Sequence, residues 1–195
     1  MNLDAAQWHA WHGATFPDES WYRDDDEQLC AIVGAPRVDL VSRERYGDFI
    51  LQFEFALPVG GNSGVFYRVD ESAGLAWHSG PEMQLLDDAV HPDGEAPTTR
   101  NGALYGLLAP EQETRIEPGS FMHAALVVRQ GTVEHWLGNR MVLNYRLDDP
   151  ALHTLIESSK FADKPLFAKA PAGHIVLQHH GEAVRFRRLS IEALG

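Results

Sequence analysis

The sequence predicts an all-β sandwich of antiparallel strands with one short helix. Many short segments alternate apolar and polar residues with a period of two, and Gly-, Pro- and Asn-rich turns separate them. Strands and helices do not alternate regularly, which argues against a parallel sheet covered by helices. The helix is predicted at residues 151–157, after Asp149 as its N-cap and Pro150 at its first position. Together these features favour two stacked sheets.

The clearest strand signal covers residues 49–57, where every second residue is apolar. This alternation is typical of a strand with one face against a core. Further strands are predicted at 29–33, 38–42, 62–68, 82–86, 124–129, 132–137, 141–145, 173–180 and 184–191. The short turns between residues 124 and 145 predict a β-meander there.

The 195 residues are predicted to form one domain, since no Gly/Ser-rich or Pro-rich linker divides them. Residues 1–28 are interpreted as an N-terminal strap over the edge of a sandwich formed by residues 29–191. Residues 89–102 show no periodicity. Because a loop of this length in a compact domain is usually functional or mobile, we expect a flap beside a cleft.

The composition narrows the function classes. Lys and Arg number 16 against 28 Asp and Glu, a net charge of −12, so nucleic acid and anionic membrane are not expected partners. The first residues carry neither a basic region nor a long apolar run, and a cytoplasmic location is expected. Cys30 is the single cysteine, which excludes an internal disulfide and a cysteine metal cluster. The histidine spacings match no zinc motif.

Two predicted strands carry polar residues where buried strands carry apolar ones. In an extended chain Asn62, Gly64 and Arg68 share one face, and Glu82 and Gln84 share another. Burying such groups without partners is costly, so they pair with each other or serve a ligand. We interpret these faces as one wall of a binding cleft.

The segment 173–181 repeats this pattern. Its alternation places His174, Gln178 and His180 on the face away from the core. Because neighbouring strand residues point to opposite faces, His179 and His180 cannot hold one metal together. The ordinary alternative for His180 is a surface histidine.

Two further features have competing interpretations. Glu134 and Trp136 share a strand face; a tryptophan beside carboxylates is typical of carbohydrate sites, although most tryptophans belong to a core. Lys160, just after the predicted helix, is most simply a solvated lysine near the helix C-terminus.

Several of these segments occur in the order found in one known family. The motifs lie at residues 62–68, 80–87, 103–106, 134–137, 159–161 and 173–181. From about residue 21 to residue 191, the chain resembles the 3-keto-disaccharide hydrolase family, also described as 3-keto-glucoside-1,2-lyases/hydratases and as domain of unknown function 1080. The resemblance implies a concanavalin A-like jelly-roll sandwich of two antiparallel sheets, shared with family 16 glycoside hydrolases, with the ligand on the concave sheet.

The resemblance also implies action on glycosides oxidised at C3. The ketone acidifies the C2 proton, so a base can remove it, an enolate forms, and the C1 substituent leaves. We expect His180 or Glu82 as the base, Arg68 beside the enolate, and Asp87 holding a neighbour or assisting the leaving group. The substrate-binding residues expected are Asn62, Gln84, Tyr105, Glu134, Trp136, Lys160 and Gln178. The sequence identifies no cofactor, and it leaves open whether the protein uses a divalent metal ion.

Two other functions fit the same fold. Ordinary glycoside hydrolysis needs two carboxyl groups, but the residue one strand repeat from Glu82 is the amide Gln84, and Asp87 would need a bulge to share its face. The second alternative is a non-catalytic carbohydrate-binding module. In all three cases the expected partner is a sugar.

Overall fold

A computed structural model describes residues 3–194, which form two stacked antiparallel sheets; residues 1, 2 and 195 of the predicted domain lie outside the described residues. The strands are β1 (Trp8–Ala10), β2 (Trp21–Arg23), β3 (Leu29–Ala31), β4 (Leu40–Tyr46), β5 (Asp48–Ala56), β6 (Asn62–Val69), β7 (Glu82–Leu86), β8 (Met122–Arg129), β9 (Thr132–Leu137), β10 (Arg140–Arg146), β11 (Gly173–Leu177) and β12 (Arg185–Leu194). The single α-helix within residues 3–194 is α1 (Pro150–Glu157).

The predicted all-β sandwich is confirmed. One sheet has five strands in the order β1-β4-β11-β6-β7, and the other has seven in the order β10-β9-β8-β5-β12-β3-β2. The predicted meander is β8-β9-β10, whose strands pair antiparallel. The helix starts as predicted, because the Asp149 carboxylate accepts a hydrogen bond from the Ala151 amide at 2.8 Å.

The N-terminal segment differs from the predicted strap. It adds an edge strand to each sheet, since β1 pairs with β4 of the five-stranded sheet and β2 pairs with β3 of the seven-stranded sheet. Trp8 and Trp21 are fully buried between the sheets. These tryptophans explain the difference: burying each removes a large apolar area from water, which holds the segment in the sandwich.

The core lies between the sheets, as the alternation of residues 49–57 predicts. Phe49, Leu51, Phe53 and Phe55 are at most 1% exposed, whereas Gln52 of the same strand faces outward. On the outer face of the five-stranded sheet lies a second apolar cluster. Its members are Val41, Phe66, Val69, Ala76 and Val176, with Trp11 and Trp77 packed against them.

The aperiodic segment after β7 is ordered by short helices and hydrogen bonds. It forms 3-10 helices at Pro92–Glu95 and Pro97–Thr99, and the Arg100 guanidinium donates to the Gly94 carbonyl at 2.9 Å. Among residues 3–194, no helix has the length and apolar character needed to cross a bilayer.

Candidate functional site

A cavity of about 230 Å³ opens where β6, β7 and the end of β11 lie side by side. Its walls combine two carboxyl groups, three amides, an ammonium, an imidazole and two aromatic rings. The lining residues are Asn62, Trp77, Glu82, Gln84, Asp93, Tyr105, Lys160, Gln178 and His180. Seven of the residues predicted from the sequence therefore meet here: Asn62, Glu82, Gln84, Tyr105, Lys160, Gln178 and His180.

The pairing of β6 with β7 positions the carboxyl group of Glu82. Gly64 lies opposite Gln84 in the register, and Glu82 is two residues before Gln84, on the same face of β7. A Cβ atom built on Gly64 would come 2.0 Å from Glu82 Oε1 and 2.8 Å from its carboxyl carbon. Glycine at position 64 thus leaves the space in which the Glu82 carboxyl group lies.

Substitution Gly64→Ala is expected to reduce activity strongly while changing stability little. The added methyl group would displace the Glu82 carboxyl group, whereas position 64 keeps a backbone that alanine can adopt, because Gly64 has no positive φ. The measurement is kcat/KM together with the urea midpoint. The control Gly34→Ala removes a glycine with open space around it and a φ of +80°, and should affect stability alone.

The chain after β11 brings Gln178 and His180 into the cavity. Antiparallel pairing continues past the end of β11, since the backbone amide of Gln178 donates a hydrogen bond to the Gly64 carbonyl at 3.0 Å. The neighbouring His179 points the other way, as predicted: it is 2% exposed, and its ring lies edge-on to Trp21 at 5.5 Å. The His179 backbone amide donates to the half-buried Asp39 carboxylate at 2.8 Å, which fixes this turn.

Four side-chain amide atoms in the cavity lack hydrogen-bond partners within the described protein. Gln84 is 1% exposed, and both its Oε1 and its Nε2 are buried without a hydrogen bond. Asn62 Oδ1 and Gln178 Oε1 are also buried and unpaired. A buried amide without a partner costs about 1–3 kcal/mol. Donors and acceptors left open on several walls are suited to a ligand with many hydroxyl groups.

The strongest electrostatic feature of the cavity is Glu82. Burial raises the pKa of its carboxyl group from 4.5 to about 8, and the nearby charge of Lys160 opposes this shift only in part. At neutral pH the group therefore carries a proton. Glu82 can donate a hydrogen bond or a proton to a ligand, and it becomes a base only at higher pH.

Lys160 lines the cavity, and the residue as a whole stays exposed to solvent, as the sequence predicted. Its ammonium lies 4.2 Å from the ring centroid of Tyr105 and 5.2 Å from that of Trp77. Burial lowers the pKa of Lys160, while the charges of Glu82 and Asp93 counteract the shift. Lys160 is therefore the cation that faces the ligand space, held over two aromatic rings.

A hydrogen bond orients the imidazole of His180. Its Nδ1 lies 3.0 Å from Glu182 Oε2. Because a carboxylate only accepts, Nδ1 carries the hydrogen and Nε2 keeps a lone pair. Tyr105 is not a base, since burial and Asp93 raise its pKa to about 12, and its hydroxyl donates to Asp93 at 3.0 Å.

Arg68 does not line the cavity, contrary to the sequence prediction. Between two registered pairs, Phe66 with Val176 and Val69 with His174, β6 has one residue more than β11. Arg68 lies in this bulge with a φ of 52°, which breaks the alternation. Its guanidinium bonds the Gly47 carbonyl and the Asp48 carboxylate, each at 3.3 Å.

Asp87 is also outside the cavity lining. It is 3% exposed, and its Oδ2 accepts a hydrogen bond from the Gly60 amide at 2.8 Å. The Asp87 amide in turn donates to the Gly61 carbonyl at 3.0 Å. Through these two hydrogen bonds Asp87 stabilises the turn that precedes Asn62.

Glu134 and Trp136 lie on the other sheet. They are on the outer face of β9, where the Trp136 indole donates to Glu134 Oε2 at 2.8 Å, and they line a separate groove of about 760 Å³. Their shared face was predicted correctly from the alternation. A period of two cannot tell which sheet a face belongs to, and so the sequence grouped them with the cavity residues.

Substitution Trp136→Ala is accordingly expected to leave kcat/KM unchanged. Trp136 does not line the cavity, and Trp77 does, so Trp77→Ala is the matched variant that should raise KM. Steady-state kinetics of both variants make the comparison. Equal losses in the two would place part of the substrate on the seven-stranded sheet.

The sequence analysis missed three residues of the site. Asp93 and Trp77 line the cavity, and His91 Nε2 lies 3.4 Å from the side-chain nitrogen of Asn62. The expected flap beside the cleft was a usable signal, since Asp93 and His91 lie within residues 89–102. Trp77 gave no signal, because its place follows from the packing of a 3-10 helix on the outer apolar cluster.

Comparisons with known proteins identify a family and a fold for this chain. The family model described as a 3-keto-alpha-glucoside-1,2-lyase-like domain matches residues 2–192. A 3-keto-disaccharide hydrolase of Bacteroides thetaiotaomicron is 30% identical over 179 residues. That alignment covers 80% of this chain and 62% of the relative, so the chain spans less than two thirds of the relative's length.

Solved structures show the same fold. A proposed glycosyl hydrolase from Parabacteroides distasonis superposes with a TM-score of 0.89 at 23% identity, covering 98% of this chain and 90% of the other. A Bacillus subtilis protein with a galectin-like fold gives a TM-score of 0.61 at 13% identity, covering 96% and 90%. At these identities the likeness establishes the jelly-roll architecture and nothing about chemistry.

Proposed function

Because the chain belongs to the family of 3-keto-α-glucoside-1,2-lyase-like domains, we propose that it cleaves glycosides that carry a ketone at C3 of the sugar. The observation that carries this proposal is the set of buried, unpaired amide atoms of Asn62, Gln84 and Gln178 around one cavity. Hydroxyl groups of a sugar ring would satisfy these atoms. The 230 Å³ cavity has space for about one sugar ring.

In the proposed reaction, His180 removes the proton from C2. Its Nε2 has the free lone pair, because the Nδ1–H group is donated to Glu182. The ketone makes the C2 proton acidic by spreading the resulting charge onto the C3 oxygen. Glu182 holds the imidazole in the required tautomer and stabilises the imidazolium that forms, so it is a positioning residue.

The charge that develops on the C3 oxygen needs a cation or a hydrogen-bond donor. Lys160 stabilises this charge, the role that the sequence analysis gave to Arg68. Among the residues that line the cavity, Lys160 is the single lysine or arginine. Glu82, protonated at neutral pH, supplies a proton to the leaving oxygen. The C2–H and C1–O bonds break, a C1=C2 double bond forms, and the aglycone leaves with the proton.

Elimination and hydrolysis differ in one later step. In hydrolysis water adds to the double bond, with its oxygen joining C1 and a proton returning to C2. The imidazolium of His180, once it has exchanged its proton with solvent, can return that proton, and the Glu82 carboxylate left by the first step takes the proton that the water loses. Both outcomes need the same first step, so the site residues have the same roles in each.

The experiment is proton NMR of the protein with a 3-keto-glucoside in heavy water. We expect loss of the C2 proton signal together with release of the aglycone. A vinylic product would assign elimination, and a free 3-keto sugar with deuterium at C2 would assign hydrolysis. Substrate signals that broaden but persist unchanged would instead identify a sugar-binding module and overturn the proposal.

A second candidate, ordinary hydrolysis by two carboxyl groups, is favoured by Asp93. The sequence analysis paired Glu82 with Asp87, which is outside the cavity, but Asp93 lines it together with Glu82. Retaining hydrolysis needs two carboxyl groups about 5–5.5 Å apart. Cleavage of unoxidised glycosides, lost in Asp93→Asn, would favour this candidate over the 3-keto reaction.

A further inference from the structure

Two histidines and a glutamate converge at the opposite end of β11 from the cavity. His9 of β1, Glu71 after β6 and His174 of β11 place one ligand atom each within 4.8 Å of one another. The side chains are largely sheltered, with 12%, 25% and 15% of their surfaces exposed. We propose that His9, Glu71 and His174 bind a divalent transition-metal ion of the Zn²⁺ class.

The hydrogen bonds of the two imidazoles leave their Nε2 atoms free. His9 Nδ1 lies 2.9 Å from the Gly13 carbonyl, and His174 Nδ1 lies 2.6 Å from the Ser42 carbonyl. Carbonyl oxygens only accept, so both Nδ1 atoms carry the hydrogen and a neutral ring keeps its lone pair on Nε2. This is the arrangement usual for histidines that bind metals, in which the second nitrogen is held by a backbone carbonyl.

A backbone hydrogen bond also orients the Glu71 carboxylate. Its Oε1 accepts a hydrogen bond from the His12 amide at 3.3 Å, which leaves Oε2 toward the imidazoles. Oε2 lies 3.7 Å from His9 Nε2 and 3.9 Å from His174 Nε2, beyond hydrogen-bonding distance. Two lone pairs and a carboxylate oxygen thus face one another, and a cation between them would be bound by all three.

The spacing fits such an ion after a small contraction. Nitrogen and oxygen ligands lie about 2.0–2.2 Å from Zn²⁺, so neighbouring ligands of a tetrahedral ion are about 3.4 Å apart. The distances of 3.7 and 3.9 Å to Oε2 therefore shorten by about 0.3 and about 0.5 Å. Two histidines and one carboxylate suit Zn²⁺, Co²⁺ or Fe²⁺ better than Mg²⁺ or Ca²⁺, which prefer oxygen ligands alone.

The ion would act at a distance from the sugar cavity. His174 and Gln178 are four residues apart, or about 13 Å along an extended chain, and the outer apolar cluster lies between them. The three ligands tie β1 to β11 and to the segment that leads to Trp77 in the cavity wall. The site is therefore structural: it holds the N-terminal strand and the loop after β6 on the sheet.

The sequence could not reveal this site. Its ligands come from three segments far apart in the chain, so the histidine spacing matches no zinc motif. They meet because β1 and β11 both pair with β4.

The test is a titration of chelator-treated protein with Co²⁺. We expect a visible absorption band that saturates at one ion per chain, is displaced by Zn²⁺, and accompanies a rise in Tm. His9→Gln and Glu71→Gln should each weaken Co²⁺ binding by at least about tenfold, since even partners outside the ligand shell are worth 10–100-fold. His123→Gln, an exposed histidine on the seven-stranded sheet, should bind Co²⁺ as the wild type does.

Absence of a saturable band in the wild type would overturn the proposal. So would binding that persists in both ligand variants, or binding lost in His180→Gln, which would place the ion in the cavity. Far-UV circular dichroism checks folding. If His9→Gln does not fold, Glu71→Gln decides, because the amide keeps the size of the side chain and the hydrogen bond from His12.

Discussion

Substitution His180→Gln is expected to lower kcat/KM toward a 3-keto-glucoside by about 10²–10⁴, the usual contribution of a general base. Glutamine keeps polarity and approximate size but cannot accept the C2 proton. The loss should fall on kcat, because the unpaired amides of Asn62 and Gln84 remain to bind the sugar hydroxyls. The decisive measurement is exchange of the C2 proton with deuterium, which reports proton removal directly.

Two further variants separate a chemical role from a structural one. His123→Gln removes an exposed histidine of the other sheet and should keep wild-type kinetics. Glu182→Gln leaves the imidazole in place but removes its carboxylate partner, so its effect should be smaller than that of His180→Gln. C2 exchange at the wild-type rate in His180→Gln would exclude His180 as the base.

The sheet faces were the part of the site that the sequence could predict. In Glu82 and Gln84, and again in Gln178 and His180, polar residues replace apolar ones at every second position, and the cavity contains all four. Alternation fixes the face of each side chain relative to its own strand neighbours. It carries no information about which strand lies next to which.

The features that the sequence analysis missed all depend on which strands are neighbours in the sheets. The bulge that removes Arg68 arises from the pairing of β6 with β11, and Trp136 belongs to a sheet that β7 never joins. The sequence predicted that Lys160 is exposed, but nothing near it in the chain shows that its ammonium lies over Trp77 and Tyr105. Long-range contacts of this type are set by the packing of the whole domain.

Substitution Glu82→Gln is expected to abolish most activity and to stabilise the protein. Burial raises the pKa of this carboxyl group to about 8 in the folded state, against 4.5 as its ordinary value. Between these pH values the unfolded chain ionises while the folded chain keeps the proton. Stability conferred by the wild-type residue is therefore present below pH 4.5 and lost as the pH rises toward 8.

The size of this effect follows from the pKa shift. A shift of one unit corresponds to 1.36 kcal/mol, so the loss across the window is up to about 5 kcal/mol. Glutamine does not ionise, so this loss of stability is removed. Its amide would nevertheless be buried without a full set of hydrogen-bond partners, which offsets part of the gain. We expect Glu82→Gln to gain about 1–3 kcal/mol in unfolding free energy at pH 8 and little at pH 4. Urea denaturation at the two pH values measures the difference.

The pH dependence of turnover then decides how Glu82 acts. If the protonated carboxyl group donates to the leaving oxygen, kcat falls above about pH 8, and that limb disappears in Glu82→Gln along with most of the rate. A wild-type rate that instead rises through pH 8 would make the ionised carboxylate the base and leave His180 in a supporting role.

The control is Glu157→Gln, which removes one negative charge at an exposed position on the helix. It should alter neither the difference in stability between the two pH values nor the pH profile of turnover. Since a buried, protonated carboxyl group is costly to keep in the folded state, a gain in stability joined to a loss of turnover is the signature of a residue retained for chemistry.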